Sequence, residues 1–262
     1  MTFLRLRTSL AAGILVALAA TFFLVSSGHA QKKQTRPQTV YVIVHGAWGG
    51  SWAFKKVDSL ITAQGNLVYR PSLTGQGERV HLATTDVGLS THIDDVVNMI
   101  LFEDLHDIIL IGHSYGGMVI TGVADRVPDR IRRLIYLDAL LPVDGENVMA
   151  MQPPGGDEWL KSMTKDGFII PPWAKADQKP PKDVPQSLKT FTEPIALKNG
   201  PAKIPGTYIL TVDPGKKPED DTFFSSSKRA KERGYNVMTM SADHNPQWSA
   251  PKELVALLLK DK

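Results

Sequence analysis

The chain has 262 residues, 42% of them hydrophobic, and a formal net charge of +3. That length and apolar content suffice for one substantial core and exclude a low-complexity or disordered chain, while the modest charge argues against nucleic acid or another polyanion as partner. No cysteine is present, which excludes disulfide staples, a thiol nucleophile and any cysteine metal site.

Arg5 and Arg7 precede an apolar run from Leu10 to Val25, and small residues lead on to Gly28-His29-Ala30. This is the layout of an export signal over residues 1–30, with cleavage expected after Ala30. The alternative is a retained anchor, because the run is nearly long enough to span a bilayer. Loss of Arg5 and Arg7 lowers the net charge by two. The expectation is an exported protein, periplasmic or secreted, with no stable membrane association after cleavage. Residues 31–38, rich in Gln, Thr and Pro with Lys32, Lys33 and Arg36, read as a solvated linker.

From residue 39 to 262 strand and helix signals alternate. Short β-rich runs fall at Thr39–Val44, Leu67–Tyr69, Ile108–Ile111, Leu134–Leu137, Thr207–Val212 and Asn236–Met240, with helical lengths between most of them. Ser90 is expected to cap a helix through Leu101, Tyr115 to Val127 stops before Pro128, and Pro251 opens a final amphipathic helix to Leu259. The alternation predicts an α/β fold with a mostly parallel central sheet covered on both faces. From about residue 141 to 205 the rhythm breaks into proline- and glycine-rich sequence with scattered apolar residues, among them Trp159, Phe168 and Trp173. A structureless loop of that length is improbable in a compact domain, so the stretch reads as an inserted cap.

Gly112-His113-Ser114-Tyr115-Gly116 fits G-x-S-x-G between a predicted strand and a predicted helix. In that context the glycines permit a sharp turn that exposes the Ser114 hydroxyl as a candidate nucleophile. After the first strand, Val44-His45-Gly46-Ala47-Trp48-Gly49-Gly50 forms a glycine-rich loop. Ala47 N–H and Tyr115 N–H together would make a pair of donors for a developing oxyanion.

A serine nucleophile needs a base. Of seven histidines, His29 falls in the signal, His45 and His113 belong to the two loops, and His92 and His106 lie in or beside connections. His244, in Ser241-Ala242-Asp243-His244-Asn245-Pro246, follows the last strand and precedes the last helix, where the chain order Ser…Asp/Glu…His requires the base. Asp213, directly after the strand ending at Val212, is the expected acid, with Asp138, after Leu137, as the alternative. Asp243 reads as a local turn former.

The stretches "HGAWGGSW", "LTGQGERVHL", "GHSYGG", "YLDALLP" and "SADHNPQWSAP" together resemble the α/β-hydrolase superfamily, in the branch of plant methylesterases, hydroxynitrile lyases and bacterial carboxylesterases, including pyrethroid-hydrolysing ones. The resemblance runs from Val40 to Leu259. It implies an α/β-hydrolase fold, Ser114 as nucleophile, His244 as base, Ala47 and Tyr115 as oxyanion donors, a cap over the pocket and no cofactor or metal. Many members place the aspartate one residue later, where this chain has Pro214, so Asp213 would require a shifted loop.

The lyases of this branch carry a threonine at the position of Gly46 and a lysine just after the base, where this chain has Asn245. Without that cation, departing cyanide would lack its electrostatic partner, and hydrolysis is the expected chemistry. A lyase and a non-catalytic ligand-binding protein of the same fold remain the alternatives. The expected partner is a small-molecule ester. The apolar cap with Trp48, Trp52 and Tyr115 suggests a hydrophobic acyl or alcohol group, and His81 either lines the pocket or bonds within its own loop.

Overall fold

The computed structural model describes residues 38–260 apart from 176, 201 and 202. The export-signal and anchor readings, and almost all of the linker, lie outside the described residues.

The predicted apolar runs form one six-stranded sheet. Its strands are β1 (Val40–Val44), β2 (Leu67–Tyr69), β3 (Ile108–His113), β4 (Ile131–Leu137), β8 (Gly206–Val212) and β9 (Asn236–Ser241), in the order β2-β1-β3-β4-β8-β9. Every pairing is parallel. The central strands are buried on both faces, which is why they read as continuous apolar runs with little polar alternation. Successive side chains nevertheless divide strictly by face. Val42, Leu110, Tyr136 and Leu210 join the core under α2 (Leu89–Phe102), α3 (Gly116–Arg126) and α6 (Phe224–Glu232). Tyr41, Ile111, Leu137 and Ile209 join the core under α1 (Lys55–Thr62) and α8 (Pro251–Lys260). A large-to-small substitution at a site such as Ile111 costs about 2–5 kcal/mol.

Helix α2 starts at Leu89 with Gly88 at its N-cap. Thr91 Oγ1 accepts the Gly88 N–H at 3.2 Å. Ser90, expected as the cap, instead lies in the first turn, where its N–H donates to Glu193 Oε2. Glycine is among the residues favoured at an N-cap, and a Cβ on Gly88 would meet Glu193 Oε2 at 2.0 Å.

Between β4 and β8 the chain leaves the sheet and builds its own small elements: α4 (Gly156–Ser162), the antiparallel β5 (Thr164–Lys165), β6 (Phe168–Ile169) and β7 (Gln186–Ser187), and α5 (Lys189–Thr192). This is the cap. A short helix, α7 (Pro246–Ser249), precedes α8. No helix among the described residues is long and apolar enough to cross a membrane.

The strand order reverses at β1. From β1 the chain crosses to β2 through α1 on one face, then returns past β1 to β3 through α2 on the other. Crossovers on opposite faces leave a crevice at the carboxyl ends of β1 and β3, where ligands bind in open α/β sheets. The pair Val44↔Gly112 brings the two glycine-rich loops side by side at that crevice.

Candidate active site

Ser114 has φ of 54°, a left-handed conformation that is uncommon for a residue with a side chain. Neighbouring chain holds it there: its N–H donates to Leu137 O at 3.2 Å, and its carbonyl accepts from Gly117 N and Leu140 N, both at 3.1 Å. The turn is possible because its flanks are bare. A Cβ on Gly116 would meet Val44 O at 2.7 Å, and one on Gly117 would meet Leu140 O at 2.0 Å.

The turn presents Ser114 Oγ to His244 Nε2 at 3.0 Å. On the other side of the ring, His244 Nδ1 lies 2.6 Å from Asp138 Oδ2. Asp138 is completely buried and has φ of 44°. Its other oxygen, Oδ1, accepts the Thr211 N–H at 3.1 Å. The following residue is clamped by Tyr208, whose hydroxyl donates to Ala139 O at 2.6 Å and accepts from Ala139 N at 3.1 Å. Burial pushes the Tyr208 phenol well above its usual range, so it remains a donor.

Asp213, the expected acid, is not at the site. The register Leu137↔Ile209 sets Asp138 level with Leu210, and β8 runs on against β9 to Val212↔Ser241. Three further residues at about 3.3 Å each carry Asp213 past the histidine to the rim. There it is 41% exposed and paired with Lys216 Nζ at 2.6 Å. His81 also lies away from the site: it is exposed on the 3-10 turn Gly77–Leu82, its Nδ1 3.3 Å from Glu78 O. A turn that bonds within itself points this ring outward.

Two histidines that motif reading treats as loop residues build the site from behind. His113 donates Nε2–H to the backbone carbonyl of His244 at 2.8 Å, fixing the height of that residue. Burial pulls its pKa down to about 3, so it stays neutral beside His244. His45 accepts the Leu73 N–H on Nε2 at 3.1 Å and donates from Nδ1 to Gly46 O at 2.8 Å, with its pKa lowered by burial to about 4. His92, in α2, donates to Thr74 O and accepts from the Tyr115 hydroxyl, both at 2.9 Å, and burial lowers it likewise to about 4. The signal for His45 and His113 is that each closes an apolar strand, whereas His92, among Ser90, Thr91, Asp94 and Asp95, carries none. Phe223, carrying no chemical signal in sequence, lies parallel to the His244 ring at 4.9 Å.

Among the hydrogen bonds of the described residues, none uses the N–H of Ala47 or of Tyr115. Ala47 lines the same cavities as Ser114, and Tyr115, next to the serine in the chain, stands at the positive end of α3. Gly46 lies against Ser114: a Cβ there would be 3.0 Å from both Ser114 Cβ and His113 Nδ1.

Two cavities meet at Ser114. One, of about 410 Å³, opens past Gly49, Asn245 and Trp248. The other, of about 350 Å³, runs beneath the cap among Leu140, Val148, Leu160 and Phe191. Trp48 and Trp173 border both, packed edge to face at 5.3 Å. A third cavity, of about 220 Å³ between Tyr136, Leu197 and Tyr235, does not reach Ser114. Among the described residues no group of three or more His, Asp or Glu is placed to hold a metal ion.

A parallel sheet with a strained serine at its switch point, hydrogen-bonded to a histidine and through it to a buried aspartate, defines a class that sequence comparison also reaches. The alpha/beta hydrolase family model matches residues 41–257, and the chain belongs to that family. It is similar to the carbendazim hydrolyzing esterase of a Nocardioides species, at 35% identity over 237 residues, covering 83% of this chain and 97% of that protein. Over a shorter stretch, 45% of this chain and 41% of the relative, it is 34% identical to the pyrethroid hydrolase of Sphingobium wenxiniae. Among solved structures, an extracellular alpha/beta-hydrolase from a Paenibacillus species superposes with a TM-score of 0.72 at 24% identity, covering 85% of this chain and 98% of the other.

Proposed function

We propose that the protein is a serine carboxylesterase that hydrolyses small to medium hydrophobic esters through an acyl-enzyme. The observation that carries this reading is the continuous bonding of Ser114 Oγ, His244 and buried Asp138, at 3.0 and 2.6 Å. The esterase and hydrolase names of its relatives support it.

In this reading His244 Nε2 removes the Ser114 proton as Oγ attacks the ester carbonyl, and Asp138 stabilises the imidazolium and holds the tautomer. Ala47 N–H and Tyr115 N–H, lacking partners among the described residues, receive the negative charge on the former carbonyl oxygen. His244 then gives its proton to the departing alkoxide, leaving acyl-Ser114. Water, deprotonated by the same nitrogen, attacks the acyl carbonyl, and Ser114 leaves with the proton to restore the starting state.

Gly46 and Asn245 support hydrolysis over a lyase, because among the described residues no lysine or arginine lines the cavity beside His244 to receive departing cyanide. The two cavities suit the two halves of an ester, with Leu140, Val148, Leu160 and Phe191 beneath the cap able to pack a hydrophobic half. The proposal includes export of the chain and cleavage after Ala30, which intact-mass measurement of secreted material tests.

The mechanism is tested with p-nitrophenyl esters of graded chain length and a fluorophosphonate probe. Wild type should turn over esters and be labelled at Ser114. Ser114→Ala should do neither while melting close to wild type. Turnover near the wild-type rate by that variant would exclude the mechanism.

A further inference from the structure

Trp48 follows the oxyanion donor Ala47 and has φ of 62°, a left-handed conformation that a bulky residue rarely adopts. Such an outlier persists only where its surroundings over-determine it. Here the surroundings are the cap. Trp48 N–H donates to Gln186 Oε1 at 2.8 Å, its carbonyl accepts from Val184 N at 2.9 Å, and its indole N–H donates to Ile169 O at 3.2 Å. Ile169 and Gln186 are cross-strand partners in the β6–β7 ladder, so one edge of the cap grips one residue of the oxyanion loop.

Gln186 is 1% exposed, and its amide is oriented as well as buried. Its Nε2 donates to Thr190 Oγ1 at 2.8 Å, and the Thr190 hydroxyl donates to Ser187 O at 2.7 Å, which leaves Oε1 as the end aimed at Trp48. A glutamine buried 138 residues away from the amide it binds is an unusual use of a polar side chain in an apolar cap, because burial without this partner would be costly.

We infer that Gln186 is a positioning residue for the oxyanion hole: by accepting the Trp48 N–H it holds the Ala47–Trp48 peptide at a strained residue, and so orients the adjoining Gly46–Ala47 peptide that carries the Ala47 N–H, so the cap sets catalytic competence as well as covering the pocket. This rests on the serine-hydrolase reading. An amide rotated away from the developing oxyanion loses its contribution to the transition state while leaving ground-state binding nearly intact.

The test compares Gln186→Met, which keeps the volume and removes the acceptor, with Gln186→Glu, which keeps it. The rate of labelling by a fluorophosphonate, whose P=O occupies the oxyanion position, is followed together with kcat and KM on a p-nitrophenyl ester. Gln186→Met should be labelled at least about ten-fold more slowly, with kcat falling in parallel and KM within about three-fold, since loss of a full donor costs about 10²–10³ in kcat. Gln186→Glu should stay within about three-fold of wild type. If circular dichroism shows the Met variant unfolded, Gln186→Asn, too short to reach Trp48, takes its place with the same expectation. A folded variant without the acceptor that is labelled at the wild-type rate, or a Glu variant as slow as Met, overturns the inference alone. A wild type that the probe does not label overturns the hydrolase reading as well.

Discussion

The loops that follow β4 and β8 begin alike, each with an aspartate immediately after an apolar strand, and the chain uses them oppositely. Asp138 is fully buried, takes a backbone amide on one oxygen and His244 on the other. Asp213 stands at the rim with Lys216. The difference lies in how far each strand runs. β4 stops beneath the histidine, whereas β8 continues in register with β9 and delivers its aspartate beyond it. Position along the sheet axis, and not order along the chain, selects the aspartate that bonds His244.

The sharpest way to break this comparison is to remove charge from each aspartate in turn. Asp138→Asn should lower kcat by about 10⁴, because the amide keeps the volume but cannot stabilise the imidazolium. Asp213→Asn should leave kcat within about two-fold, since an exposed ion pair contributes little. Parallel ester assays on both folded variants check this, and an inactive Asp213→Asn beside an active Asp138→Asn would reverse the assignment.

The two regions also differ in what acid does to them. The buried side of the site holds His45, His92 and His113 as neutral rings, with pKa values of about 4, 4 and 3 in the folded chain. In the unfolded chain each returns to about 6.5, so unfolding takes up protons as the pH falls. Their stabilisation is therefore complete above about pH 6.5 and is lost as the pH drops toward 4 and 3, on the order of 3–5 kcal/mol per histidine. Urea unfolding followed by tryptophan fluorescence should show the midpoint dropping steeply between pH 6.5 and 4. A midpoint independent of pH over that range would mean that the rings are not neutral and buried in solution.

The smallest effect concerns the clamp behind Asp138. Tyr208→Phe removes the hydroxyl that satisfies both polar groups of Ala139. The cost should be about 1–3 kcal/mol in denaturant unfolding, with kcat reduced several-fold as the Asp138 turn loosens. Unchanged stability and activity would show that the turn is held by Thr211 and the sheet alone.

Much of this was legible in the sequence. The strands of the central sheet were readable within a few residues, because strands buried on two faces are uninterrupted apolar runs. Ser114 and His244 were readable as candidates from local spacing, since a sharp turn needs its glycines within two residues and His244 lies on the loop after the last strand. Asp138 was readable only as an alternative. Gln186 and Phe223 were not readable at all, because a glutamine in a proline-rich stretch and a phenylalanine before a polar helix carry no chemical signature.

The sequence by itself determined the parallel sheet, the two glycine-rich loops and the pairing of a serine with a histidine, because these depend on interactions between near neighbours or on hydrophobic period. Tertiary structure alone decided which aspartate reaches the ring, which of seven histidines are buried and neutral, and how the cap grips Trp48. Those outcomes depend on where neighbouring strands stop and on contacts across more than a hundred residues, and a register of a few ångströms between strands leaves no local mark on the chain.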